Sequence, residues 1–183
     1  MNTAAAALIH EGDTVALDAS STVFALVPHL RNFRRLTVIT NSLITAQSLL
    51  DSPQINVLLP GGRLRRDRSR LSDAPEELPD VNLNIGFGAR GRSPAAGSDI
   101  DADEVVIKQE MTQRCARAVL LVDASKWGQV APYTFIRAEN IRHIITAKAR
   151  QLTWFRCFVT GARAWILCLR QALTYFDADF LAR

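Results

Sequence analysis

The sequence predicts an α/β domain built on a mostly parallel sheet flanked by helices. Three observations carry that prediction. Short apolar runs recur at residues 14–17, 36–40 and 55–59. Each ends in small polar or glycine residues: Asp18-Ala19-Ser20-Ser21-Thr22, Asn41-Ser42 and Pro60-Gly61-Gly62. The first two of these turns lead into helical spacing. Strand, turn, helix in repetition argues parallel strands joined by right-handed crossovers.

Taken in order, residues 2–11 read as a short Ala-rich helix and Gly12-Asp13 as a turn. The run at 14–17 is continuously apolar, as in a strand covered on both faces. Residues 22–30 place Val23, Leu26, Val27 and Leu30 on one helical face, and Pro28 shortens or tightens that helix. After the strand at 36–40, Leu43, Ala46, Leu49 and Leu50 form the next helical face. The strand at 55–59 is followed by a charged, Pro-containing surface excursion over 63–80. A strand then runs over 81–91 into glycines, and residues 92–101 read as a loop. A helix over 102–117 carries Val105, Val106, Met111 and Cys115 on its apolar face. Strands follow at 119–128 and 141–146. The domain is read as 1–146. Residues 147–183 are set apart as a divergent tail, helical over 162–176 or poorly ordered, whose Trp and Arg content resembles out-of-frame translation.

A chain of 183 residues with 48% hydrophobic and 22% charged content suits one globular core. Its formal charge of +4 permits an anionic ligand without arguing for nucleic acid. Cys115, Cys157 and Cys168 contain no CxxC pair, so reduced thiols in a cytoplasmic protein are expected. The first 13 residues show no basic leader, and no run suits a membrane span.

Ligands of open α/β sheets bind outside the carboxyl ends of the strands. Those ends carry Asp18, Ser20, Ser21 and Thr22, then Asn41 and Ser42, Gly61 and Gly62, Gly88 to Gly91, and Asp123 to Lys126. Ser20–Thr22 either cradle a phosphate at a helix start or cap that helix. Asn41 and Ser42 carry the same ambiguity. Gly61-Gly62 allows close approach to a ligand or supplies a turn. Asp18 and Asp123 each end an apolar strand, where a carboxylate needs a partner, and Lys108 and Lys126 are the candidates. Taken alone, Lys108 reads as a solvated helix position. The acids Asp99, Asp101, Asp103 and Glu104 lack the spacing of a calcium loop and read as helix-start charges. No metal or cofactor site is expected.

Taken together and in order, LDASST, LTVITNS, INVLLPGGRLRRD, GARG with the following SP, AG and SD, DEVVIKQEM and LLVDASKWG resemble the effector-sensing domain of DeoR-family transcriptional regulators. The resemblance runs from about Glu11 to Thr146. It implies a fold similar to ribose-5-phosphate isomerase and CoA-transferase-like domains. It implies a non-enzymatic repressor domain that binds a phosphorylated sugar or similar metabolite, associates with itself, and controls an attached helix-turn-helix. The family's ligand positions map onto Asp18, Ser20, Ser21, Thr22, Asn41, Ser42, Gly61, Gly62, Lys108, Asp123 and Lys126. Three departures stand out. The sequence starts almost at the sensor domain, with DNA contact expected only through a helix-turn-helix absent from it. The stretch 86–98 is compressed, which would make it a damaged site. Ala147 stands where the family has aspartate. The alternatives are a sugar-phosphate isomerase-like enzyme of the same fold and a non-functional fragment.

Overall fold

The computed structural model describes residues 1–72, 81–89, 96–99, 102–123, 132–137, 143–146, 164–169 and 172–177. The strands, in chain order, begin with β1 (Thr14–Leu17), β2 (Leu36–Thr40), β3 (Ile55–Leu58), β4 (Arg63–Arg65), β5 (Arg70–Ser72) and β6 (Leu83–Ala89). They continue with β7 (Ala96–Asp99), β8 (Cys115–Val122), β9 (Tyr133–Arg137), β10 (His143–Thr146), β11 (Ala164–Leu169) and β12 (Ala172–Asp177). The helices are α1 (Asn2–Ala6), α2 (Ser21–Phe24), α3 (Val27–Leu30), α4 (Leu43–Ser48) and α5 (Ala102–Arg114).

One sheet of eight strands runs β11-β12-β10-β8-β6-β1-β2-β3. From β10 to β3 every neighbouring pair is parallel. The chain steps from β1 through β2 to β3 in one direction, then from β6 through β8 to β10 in the other. The strand order therefore reverses between β1 and β6. Two antiparallel ribbons, β4–β5 and β7–β9, lie outside the main sheet.

Both faces of the sheet are covered. Ala5, Val23, Leu26, Val27 and Leu30 from α1, α2, α3 and their flanks, with Leu49 at the end of α4, pack against Val15, Leu17, Ile85 and Phe87 on one face. Ile107 and Met111 of α5 pack against Ala16 and Ile39 on the other. The predicted parallel architecture is thus present, with β1 and β2 at the expected bounds.

Several expectations are corrected. The helix expected over 22–30 is two short helices, because Pro28 supplies no N–H to the preceding turn and restarts the chain at α3. Leu50 is 77% exposed and buried Thr45 takes an inward position of α4 instead. On α5, Val106 is 56% exposed, whereas Glu104, Ile107 and Lys108 are buried. Helix α5 stops at Arg114 rather than 117 because Cys115 to Arg117 are taken into β8, in register with Leu83 to Ile85. The surface excursion at 63–80 contains the β4–β5 hairpin, with Arg70 buried. Part of the stretch read as a loop over 92–101 is β7, paired with β9. The helix expected over 162–176 is instead the antiparallel pair β11–β12. Its continuous apolar run carries no period that separates helix from strand. Strand β6 holds its register with both β1 and β8, so Gly86 to Ala89 show no slip. Of the stretch 86–98 read as compressed, residues 90–95 lie outside the described residues.

Gly86 and Gly88 follow from packing. A Cβ on Gly86 would fall on Cys115 Sγ, and one on Gly88 would lie 3.3 Å from the Phe135 ring. Burial pushes the Cys115 thiol up to about 12, so it stays a neutral core group. Gly86→Ala is expected to cost about 1–3 kcal/mol through overpacking. In a Cys115→Ala background most of that loss should vanish, because the nearest remaining atom is a Cβ at 3.4 Å. Urea denaturation of the two single variants and the double variant measures this.

The amino-terminal end of the sheet is tied by Glu11, whose carboxylate accepts hydrogen bonds from the backbone N–H groups of Arg34 and Arg35. The Arg34 bond chiefly holds Glu11 below its ordinary value of 4.5. A depressed carboxylate adds stability above its unfolded value and loses it as pH falls through the folded one. Glu11→Gln is therefore expected to flatten the loss of stability below about pH 4.5. Thermal melts from pH 7 to pH 3 test this, and an unchanged acid slope would contradict it.

Candidate functional site

Strand β1 delivers Asp18 to the carboxyl edge of the sheet, beside the end of β6. The Asp18 N–H donates to Phe87 O at 3.1 Å. The residue is only 3% exposed, and its side chain reaches across the point where the strand order reverses. Asp18 Oδ1 accepts from Ser20 N at 3.0 Å and from Ser20 Oγ at 2.5 Å. Asp18 Oδ2 accepts from Ala89 N at 2.8 Å. A buried carboxylate is costly unless it is satisfied in this way.

Helix α5 supplies the counter-charge. Lys108 Nζ lies 3.3 Å from Asp18 Oδ2 and 3.6 Å from Glu104 Oε2, one turn earlier on the same helix. It also lies 5.2 Å above the Phe135 ring. Glu104 in turn pairs with Arg70 of β5, and Arg68 Nη1 approaches it at 3.8 Å. Lys108, Glu104 and Arg70 are each 6% exposed. Lys108, Arg70, Asp18 and Glu104 thus form one connected buried cluster joining β1, α5 and the hairpin. A cavity of about 10 Å³ adjoins Asp18, Lys108 and Gly86, room for a single water.

The remaining expected residues are placed as follows. Ser20 caps α2, its Oγ accepting from Val23 N at 3.2 Å. Ser42 caps α4, its Oγ accepting from Thr45 N at 3.1 Å. The capping role therefore holds for both serines. Ser21 is exposed and Thr22 half-buried at the start of α2. Asn41, 3% exposed, donates from Nδ2 to Leu71 O at 3.1 Å. Its Oδ1 has no hydrogen-bond partner among the described residues. Gly61 and Gly62 adopt φ of 82° and 112° in an exposed turn after β3, so that turn needs glycine for its backbone. Asp123 follows β8 on the same edge. Lys126 lies outside the described residues.

The structure therefore brings Asp18, Ser20 and Lys108 together. It corrects the reading of Lys108 as a solvated position: the aliphatic stem is buried and the ammonium is paired. It also corrects the reading of Glu104 as a helix-start charge, since its carboxylate turns inward. Among the described residues no group of His, Cys, Asp and Glu forms a metal site. Neither Arg70 nor Glu104 was expected at the ligand site from the sequence, and Phe135 was not named at all. The i, i+4 spacing of Glu104 and Lys108 was a readable signal of a shared helix face. Arg70, one of five arginines between residues 63 and 70, had none.

Fold and site together define the class: an open, doubly wound α/β domain with a polar cluster where the strand order reverses, the place at which such folds hold ligands. The chain belongs to the DeoR C terminal sensor domain family, whose model matches residues 1–148. It is 35% identical over 146 residues to the HTH-type transcriptional regulator GolR of Listeria innocua, covering 78% of this chain and 58% of that protein. It is 35% identical over 145 residues to the HTH-type transcriptional repressor GlcR of Bacillus subtilis, covering 78% and 56%. The chain thus spans little more than half the length of these curated relatives. In fold it is similar to ribose 5-phosphate isomerase A of Methanocaldococcus jannaschii, at 14% identity and a TM-score of 0.51, over 97% of this chain and 77% of that one. No helix among the described residues is long and apolar enough to cross a membrane.

Proposed function

We propose that the chain is the effector-sensing part of a DeoR-type transcriptional repressor. In this reading a phosphorylated sugar or related metabolite binds at the carboxyl edge and changes DNA binding by a helix-turn-helix of the kind its relatives' names declare. The observation that carries it is the buried Asp18–Lys108 pair at the reversal of strand order. A lysine paired with carboxylates there can exchange one of them for a phosphate. Asp123, at the end of β8, extends the same rim, and Ser21 and Thr22 offer hydroxyls to a phosphate there. Asn41 Oδ1 is a buried acceptor suited to a sugar hydroxyl. The isomerase alternative asks Asp18 or Asp123 to act as a base; both Asp18 oxygens already accept hydrogen bonds.

Isothermal titration with a panel of sugar phosphates and their unphosphorylated parents tests the reading. At least one phosphate should bind, with its parent sugar about tenfold weaker or worse, a factor worth about 1.4 kcal/mol. Ser21→Ala should weaken that phosphate, and equal affinities would remove residues 20–22 from the assignment. A folded chain that binds none of the panel overturns the proposal. Incubation with ribose 5-phosphate should yield no isomer; turnover would establish the enzyme instead.

A further inference from the structure

We infer that Arg70 and Glu104 are positioning residues for Lys108, which they hold ready to pass to the anionic group of a ligand. The inference rests on the effector reading above and adds two residues to it.

Breaking a buried ion pair is costly mainly because it leaves a charge uncompensated. Here neither carboxylate beside Lys108 depends on it alone. Asp18 keeps three hydrogen bonds, from Ser20 N, Ser20 Oγ and Ala89 N. Glu104 keeps Arg70, with Arg68 at 3.8 Å. Lys108 can therefore turn to an incoming anion without stranding a bare carboxylate behind it.

Arg70 is fixed by the same structure that fixes the site. Leu71 N donates to Asn41 O at 2.8 Å and Leu43 N donates to Ser69 O at 3.0 Å. Together with the Asn41 Nδ2 bond to Leu71 O, these bonds align β5 along the turn that carries Asn41 and Ser42. The hairpin thus grips one part of the edge through its backbone and the other through the Arg70 side chain. Without the Arg70 charge, Glu104 has a deficit of positive partners and claims Lys108, already at 3.6 Å. Lys108 is then held too tightly to be ceded. Removing the Glu104 charge as well releases it.

The test uses the full 183-residue chain labelled with 15N-lysine and inorganic phosphate as the probe. Two quantities are read: the Lys108 Nζ resonance without ligand, and phosphate affinity. Arg70→Met should move the resonance and weaken phosphate about tenfold, close to the loss of one charge-assisted hydrogen bond. Arg70→Lys should preserve both. The double variant Arg70→Met/Glu104→Gln should return both toward wild type, which a merely structural loss would not do. Circular dichroism confirms folding. If Arg70→Met does not fold, the neutral double variant and Arg70→Lys still decide: both must resemble wild type. An unmoved resonance in Arg70→Met overturns the inference, as does a double variant as impaired as the single one. A wild-type chain that ignores inorganic phosphate overturns the transfer of Lys108 to a free anion, while the sugar-phosphate panel above decides the effector reading and the ligand-free resonance decides positioning.

Discussion

Asp18→Ala is expected to lower the unfolding free energy by about 3–5 kcal/mol, the range for removing one partner of a buried ion pair. Three losses act together. The Ala89 N–H and the Ser20 N–H lose their acceptor, and the Ala89 donor is buried. Ser20 Oγ, which caps α2, loses the carboxylate that orients it. Lys108 loses the Asp18 carboxylate at 3.3 Å. A domain of this size holds only about 5–15 kcal/mol in total, so the variant should be marginal at room temperature. Asp18→Asn retains the shape and one acceptor oxygen and should fall between wild type and Asp18→Ala. Urea denaturation of the three proteins gives the order. A loss below about 1 kcal/mol for Asp18→Ala would mean that the carboxylate is solvated and the buried cluster does not exist.

Phe87→Ala is expected to cost about 3–5 kcal/mol by a different route. Phe87 is 2% exposed in the core between α2 and the sheet, and it stands in register with Leu17. Truncation removes apolar contacts and leaves a cavity directly under the site. The Phe87 carbonyl that accepts the Asp18 N–H is backbone and survives. Stability should therefore fall far more than the geometry of Asp18 changes. Denaturation midpoints measure the first quantity, and the Asp18 amide resonance follows the second. The effects of Asp18→Ala and Phe87→Ala should not add, because the two residues share the β1–β6 seam.

Much of this was legible in the sequence, for definite physical reasons. Strands β1 and β2 are short, apolar and β-branched, and each ends in a residue that cannot stay in a core unpaired. Asp18 was readable as such a residue, and its lysine partner was one of two named. Inward or outward direction was less legible on the helices. Leu50 and Val106 look like core residues and are exposed, whereas Thr45, Glu104 and Lys108 look like surface residues and are buried. Composition ranks these side chains by ordinary preference, but a buried acid and base satisfy each other, and only tertiary structure shows which pairs meet. Arg70 was the least legible, because nothing local separates it from Arg63, Arg65, Arg66 and Arg68. Its burial comes from backbone pairing of β5 with the turn at Asn41–Leu43, a contact across roughly thirty residues of chain. The ribbon of β7 and β9 was hidden for the same reason, since Ala96 to Asp99 carry no strand preference of their own and owe their form to a partner near residue 135.

The central claim is that an anionic metabolite is gripped where β1 and β6 diverge, with Lys108 as the cation. A crystal structure of the chain with the tightest-binding sugar phosphate tests it most directly. The expected result places phosphate oxygens about 2.7–3.2 Å from Lys108 Nζ, with Asp18 still bonded to Ser20 and Ala89. A sugar phosphate bound elsewhere, with Lys108 still seated between Asp18 and Glu104, would contradict it.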